Sequence, residues 1–65
     1  MFSALTPRKI EVTRMVADGL RNKEIASRLT IIEATVKFHL HSIYEKPSID
    51  GRYGLISYAR DHGLV

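Results

Sequence analysis

Apolar residues recur at intervals of three and four along most of the chain, a spacing that places them on one side of an α-helix. The first such segment begins at Thr6-Pro7, an N-cap residue followed by proline in the first helical position. It runs to Asp18-Gly19, where glycine suits a left-handed helix end. Its apolar stripe consists of Val12, Met15, Val16 and Leu20.

Three further helices are predicted downstream. The second runs from Lys23 to Leu29 with Asn22 as its N-cap, and the third from about Glu33 to Glu45. Pro47 ends the third helix, because the residue before proline is pushed out of the helical region. The fourth runs from about Arg52 to Asp61. No segment alternates with a period of two for long, so the prediction is an all-α fold with four helices and no sheet.

The third helix has two chemically different sides when its residues are spaced about 100° apart. One side is expected to face the core and carries Val36, Leu40, Ile43 and Tyr44. The opposite side carries Ala34, Phe38, His41 and Glu45. Lys37 lies at one edge, and the other edge has Thr35, His39, Ser42 and Lys46. An outward side with small, basic and hydrogen-bonding groups suits the major groove of DNA, which is about 12 Å wide and admits one helix.

Phe38 supports two interpretations. As a functional residue it contacts a thymine methyl group or a sugar edge. As a structural residue it packs on a neighbouring segment, or it is simply an exposed apolar side chain, which is common in proteins.

The chemistry of cofactors, metals and catalysis is not expected here. His39 and His41 point about 200° apart on a helix, so they cannot bind one ion together. The chain contains no cysteine, and the sequence has no nucleophile elbow, paired carboxylates or glycine-rich phosphate loop. We therefore predict neither an enzyme nor a cofactor-dependent protein.

Length and charge narrow the class of protein further. The 65 residues allow one domain, and no apolar run reaches the roughly 18 residues that a membrane span needs, so we expect a cytoplasmic protein. The net charge is +3, and its excess of lysine and arginine is concentrated in residues 21–46. That distribution favours a polyanionic partner, although surface lysine and arginine also serve solubility alone.

Four short motifs in order carry a resemblance to a known family. They are Leu5-Thr6-Pro7-Arg8, Gly19-Leu20-Arg21-Asn22-Lys23-Glu24-Ile25-Ala26, Thr35-Val36-Lys37-Phe38-His39-Leu40 and the closing Tyr58-Ala59-Arg60-Asp61-His62-Gly63-Leu64-Val65. Together they resemble the LuxR-type (NarL/FixJ) helix-turn-helix domain, from about Ser3 to Val65 and without gaps.

The resemblance implies that the second and third helices form a helix-turn-helix within the domain of residues 1–65. It places Lys37, Phe38 and His41 where base edges are reached. It places Lys23, Thr35, His39, Lys46 and Arg52 near the phosphate backbone. It also implies a domain that follows a receiver or ligand-sensing domain, so the chain is expected to be a piece of a larger regulator rather than a stand-alone domain.

Dimerisation is a further expectation, since such domains usually bind double-stranded DNA as dimers through the fourth helix. On that helix Leu55, Ala59 and His62 are predicted to face the core. The opposite side, expected to form a weak homodimer contact on DNA, carries Tyr53, Ser57 and Arg60.

Several positions depart from the family pattern. Lys9 stands where a glutamate would complete a capping box, and Thr13 replaces a core leucine. Ile32 replaces the Ser or Thr cap of the third helix, and Gly54 lies inside the fourth, each at a cost of about 1 kcal/mol. Pro47-Ser48 replaces Leu-Gly.

Two functions remain open from the sequence. The first is sequence-specific binding of duplex DNA as the output domain of a bacterial transcription regulator. The second is a helical protein-interaction module that contacts RNA polymerase or a partner regulator.

Overall fold

Four α-helices joined by short turns make up the structure, a computed structural model that describes residues 5–46 and 49–65. They are α1 (Pro7–Ala17), α2 (Asn22–Leu29), α3 (Glu33–Tyr44) and α4 (Gly51–Asp61). No strand occurs within the two described ranges. The predicted all-α, four-helix fold is confirmed, with bounds that shift by a residue or two. The predicted stop at Pro47 and the Pro47-Ser48 replacement lie outside the described residues.

A single apolar core joins the helices. α1 packs on α3 and α4, while α2 packs on α3. The buried apolar side chains are Leu5, Val12, Val16, Ile25, Ala26, Val36, Leu40, Ile43, Ile49, Leu55 and Ala59. The inward positions predicted for α1 and α3 are therefore correct, with Met15, Leu20 and Tyr44 packed at the margin of the core.

Three helices end in the same hydrogen-bonding pattern, the Schellman motif. In each, a residue with positive φ is followed by an apolar residue whose backbone N–H donates to the carbonyl five residues earlier. The pairs are Gly19 and Leu20 after α1, Thr30 and Ile31 after α2, and Gly63 and Leu64 after α4. All three apolar residues pack against the core, so each turn both ends a helix and returns the chain to the interior.

The helix starts are less uniform. Thr6 caps α1 by accepting a hydrogen bond from the Lys9 backbone N–H at 3.3 Å. The prediction that Asn22 caps α2 is wrong, because Arg21 occupies the N-cap and Asn22 is the first helical residue. There the Glu24 carboxylate compensates by accepting from the Arg21 N–H at 2.8 Å. Ile32 stands at the N-cap of α3 without a side-chain hydrogen bond, as the sequence indicated.

Thr13 is fully buried, yet its hydroxyl is satisfied. It donates to the Lys9 carbonyl, four residues earlier in α1, over 2.7 Å. The polar group that the sequence placed near the core is thus accommodated inside the helix itself.

Two arginines link α1 and α4 through backbone carbonyls. Arg14 of α1 donates through Nε to the Leu64 carbonyl at 2.9 Å. Arg52 of α4 donates through Nη2 to the Leu20 carbonyl at 2.5 Å. Each arginine therefore binds the apolar residue that follows the other helix's left-handed end.

Within the described part of the chain, none of the helices combines the length and the apolar character needed to cross a membrane.

Thr30 provides a test of the turn between α2 and α3. Its φ of 57° is left-handed, a conformation that costs a β-branched residue about 1–2 kcal/mol. Thr30→Gly should raise the free energy of unfolding by about 0.5–1 kcal/mol, since glycine relieves the strain but gains entropy when unfolded. Chemical denaturation measures the change.

Gly19→Thr is the matched reverse change. Gly19 has a φ of 87° in the same hydrogen-bonding pattern, and nothing lies within 4 Å of an added Cβ. Strain costs about 1–2 kcal/mol, but threonine loses less backbone entropy on folding than glycine does, so this variant should lose about 0.5–1 kcal/mol. A destabilised Thr30→Gly would show that the threonine side chain makes a contact worth more than the strain.

Candidate nucleic-acid interface

α3 is held by its inward side. Val36 and Ile43 are completely buried and Leu40 is 5% exposed, one turn apart from each other along the helix. From α2, Ile25 and Ala26 are also buried, and α2 packs principally on α3. These contacts fix the orientation of α3, so the direction of its outer side chains is set by the core.

The residues predicted to read bases share the outer side of α3. Lys37, Phe38 and His41 are all exposed, and Phe38 is 69% exposed. Of the two structural interpretations of Phe38, packing against a neighbouring segment is therefore wrong. The exposed face stays compatible with a partner or with a merely exposed aromatic ring.

A glutamate partly offsets the positive charge of this side. Glu45 Oε2 lies 3.8 Å from His41 Nε2, one helical turn away, and both side chains are largely exposed. Attraction exists only when His41 is protonated, and at an exposed pair it is worth about 1 kcal/mol or less.

The residues predicted to lie near phosphates are more scattered. Lys23 is exposed at the second position of α2, next to the free backbone N–H groups of the helix start. Thr35, His39 and Lys46 are half-buried along one edge of α3. The His39 ring stands edge-on to Phe38, with 6.3 Å between ring centroids.

Two open concavities lie side by side where α2 and α4 begin. The first is bordered by Gly19, Arg21, Asn22, Lys23, Glu33 and Arg52. The second is bordered by Asn22, Lys37, Leu40, His41, Tyr44 and Arg52. The structure therefore brings Lys37, His41 and Arg52 around one groove and Lys23 beside the adjacent one.

Asn22 and Tyr44 are two polar groove residues that the sequence did not assign to the site. Asn22 was interpreted as a cap and Tyr44 as a core residue. Tyr44 is in fact half-buried. Burial raises the pKa of its phenol above the ordinary 10.0, and the nearby Arg52 cation partly opposes that shift. The helical wheel placed Tyr44 beside the core, but only the approach of α4 puts its edge in the groove.

The side of α4 opposite the core is exposed, as its helical spacing predicts. Tyr53 is 88% exposed, and Ser57 and Arg60 are also exposed. The prediction that His62 faces the core is wrong. α4 ends at Asp61, and the exposed His62 ring instead stacks on Tyr58 with 4.0 Å between centroids.

Among residues 5–46 and 49–65, no group of three or more histidine or acidic side chains comes together as a metal site would require.

Fold and surface together define a helix-turn-helix domain, with α2 and α3 as the motif and α3 presenting its outer side. Comparison with known proteins identifies the family of this domain. A sequence model described as "Bacterial regulatory proteins, luxR family" matches residues 3–59. The chain belongs to this family, whose members are DNA-binding transcription regulators.

Three similar proteins show the extent of the likeness. The transcriptional regulatory protein MctR of Rhizobium johnstonii is 43% identical over 61 residues, covering 94% of this chain and 28% of MctR. The nitrate/nitrite response regulator NarP of Escherichia coli is 45% identical over 51 residues, covering 78% and 24%. The HTH-type transcriptional regulator AlkS of Alcanivorax borkumensis is 41% identical over 63 residues, covering 97% and 7%. The chain thus spans less than a third of each of these relatives.

The two sides of α3 should respond differently to truncation. Leu40→Ala should destabilise the fold by about 2–5 kcal/mol, since it opens a cavity in the core. Phe38→Ala should change stability by no more than about 0.5 kcal/mol, as expected of an exposed position. Thermal melts of both variants measure the difference. Equal destabilisation would mean that Phe38 is a core residue.

Proposed function

We propose that this domain binds duplex DNA sequence-specifically, as the output domain of a bacterial transcription regulator. α3 occupies the major groove with Lys37, Phe38 and His41 towards the bases. The observation that carries the proposal is that these three side chains are exposed together on a helix whose other side is fixed in the core. A helix held in this way can present its side chains in one orientation to base edges.

The three base-reading residues have complementary chemistry. Lys37 can donate to guanine O6 or N7, and His41 can donate or accept according to its tautomer. Phe38 has no hydrogen-bonding group and suits a thymine methyl group. Lys37 and His41 border the same groove one helical turn apart, so they would address neighbouring base pairs.

Phosphate contacts would come from residues around this helix. Lys23 stands at a helix start, where free N–H groups and the helix dipole also favour an anion. Thr35, His39 and Lys46 line one edge of α3 and complete the proposed set. The family resemblance predicts Arg52 as a further phosphate contact.

A protein-interaction role is the alternative, and the exposed Phe38 favours it as well. An exposed aromatic ring suits RNA polymerase or a partner regulator as readily as a thymine, and the Glu45 carboxylate beside His41 lowers the positive charge of the same helix. Salt separates the two functions. Binding through phosphates weakens steeply as salt rises, whereas an apolar protein contact does not.

Replacing Lys23 and replacing Lys37 should change DNA binding in different ways. After selection of a preferred site from random duplexes, Lys37→Ala should cost about 1–3 kcal/mol on that site and relax preference at one base pair. Lys23→Ala should weaken all sequences alike and lower the slope of log affinity against log salt by about 0.9. Titrations on selected and scrambled DNA at several salt concentrations measure both effects.

Arg28→Ala is the control, an exposed cation of α2 that borders neither groove. It should leave specificity and salt slope unchanged. If Lys37→Ala kept the ratio of selected to scrambled binding, base reading would lie elsewhere. If wild-type binding were insensitive to salt, the protein-interaction function would replace DNA binding.

The outer side of α4 is proposed to join two copies on DNA, and Tyr53→Ala tests it. One short helix face buries less than the roughly 1,200 Å² of a stable interface, so sedimentation should show a monomer without DNA. Tyr53→Ala should weaken binding to paired half-sites and spare binding to a single half-site. A tight dimer at micromolar concentration without DNA, or equal loss on both DNAs, would contradict this assembly.

A further inference from the structure

Arg52 joins three elements through one guanidinium group. It is the second residue of α4, and its Nη2 donates to the Leu20 carbonyl at 2.5 Å. Its Nη1 donates to Asn22 Oδ1 at 3.4 Å. Leu20 lies in the turn that leaves α1, and Asn22 is the first residue of α2. Arg52 of α4 is thus hydrogen-bonded both to the turn that precedes α2 and to the first residue of α2.

The start of α2 has little local support of its own. Its N-cap is Arg21, a side chain that accepts no hydrogen bond. Glu24 binds the Arg21 N–H, which ties the turn to α2 but not to the rest of the domain. The preceding Leu20 is held by the Met15 carbonyl and by the core, and the hydrogen bonds of Arg52 add a tie from α4 to Leu20 and Asn22. The buried face of α2 lies further along, at Ile25 and Ala26.

The position of this tie matters for the proposed interface. Asn22 and Arg52 border both concavities, one of which holds Lys23 and the other Lys37 and His41. The Arg52–Asn22 contact therefore lies between the concavity that holds Lys23 and the concavity that holds Lys37 and His41.

We propose that Arg52 is a positioning residue, which places the start of α2 and with it Lys23 for the DNA backbone. The proposal rests on DNA binding as the function. It differs from the assignment of Arg52 as a direct phosphate ligand, because the guanidinium acts through Leu20 and Asn22. A planar fork can reach two acceptors at once, which a lysine ammonium at the same site does not reproduce.

Arg52→Lys separates geometry from charge. If Arg52 positions α2, the variant should bind a short random-sequence duplex about tenfold more weakly although its charge is unchanged. Adding Lys23→Ala should then cost much less than it does in the wild-type background, because Lys23 has already lost its placement. Arg28→Lys, the same exchange on the exposed side of α2, is the matched control and should bind as the wild type does.

Hydrogen exchange without DNA tests whether the hydrogen bonds of Arg52 to Leu20 and Asn22 hold the start of α2. The Ile25 backbone N–H donates to the Arg21 carbonyl at 2.9 Å, so its hydrogen exchange reports on the first turn of α2. In Arg52→Lys this amide should exchange several-fold faster, while those of Val36 and Leu40 in α3 keep wild-type protection. Asn22→Ala, which removes one acceptor and leaves Leu20, should show a smaller change in the same direction.

Each outcome decides the matter. Wild-type affinity in Arg52→Lys with Lys23→Ala fully additive would show that only the charge matters, and Arg52 would be a phosphate ligand. Faster exchange throughout α3 would show a general loss of stability and overturn positioning. If the wild-type domain bound no DNA, the proposed function would fail. The exchange of the Ile25 amide would still show whether Arg52 holds the start of α2.

Discussion

The burial of one side of α3 is the interaction on which the rest of the molecule depends. Val36, Leu40 and Ile43 pack where α1 and α2 both meet this helix. A domain of about this size buries only roughly 60% of the surface of its unfolded chain. Its core is therefore small, and each buried side chain of α3 matters for stability. The same helix must therefore complete the core with one side and, in the proposed function, meet DNA with the other. Any rotation of α3 that moved Phe38 inwards would also pull Leu40 out.

The helix ends also add apolar side chains to this small core. Leu20, Ile31 and Leu64 each follow a left-handed residue and return to the apolar interior. The chain uses glycine for two of these turns and threonine for the one between α2 and α3. Keeping a β-branched residue in a left-handed conformation is unfavourable by about 1–2 kcal/mol, so the turn of the helix-turn-helix is the strained one.

Acidic side chains lie among the basic ones on the proposed DNA-binding surface. Glu33 borders the groove of Lys23, and Glu45 lies beside His41. These carboxylates lower the attraction for any polyanion and leave a modest net charge of +3. Affinity gained from non-specific phosphate attraction is limited accordingly, and the proposed interface depends more on where each cation stands than on their number. A guanidinium that fixes the place of α2 is consistent with that balance.

The sequence by itself determined the four helices and the phase of α3. Spacing of Val36, Leu40 and Ile43 predicts which side is buried, and it predicts Lys37, Phe38 and His41 outside, because side-chain direction follows from helical geometry alone. Gly19 likewise marked a helix end through a local preference of the backbone. The family was also evident from motif order.

Only the tertiary structure decided how the ends of helices meet. Asn22 is a favourable N-cap residue, yet Arg21 takes the cap, and Asn22 instead accepts from Arg52 thirty residues away. His62 has the helical spacing of a core residue, but α4 ends before it and its ring stacks on Tyr58 outside. The groove between Tyr44, Lys37 and Arg52 belongs to no local pattern. Such contacts join residues far apart in the chain, and they depend on packing angles that helical periodicity does not encode.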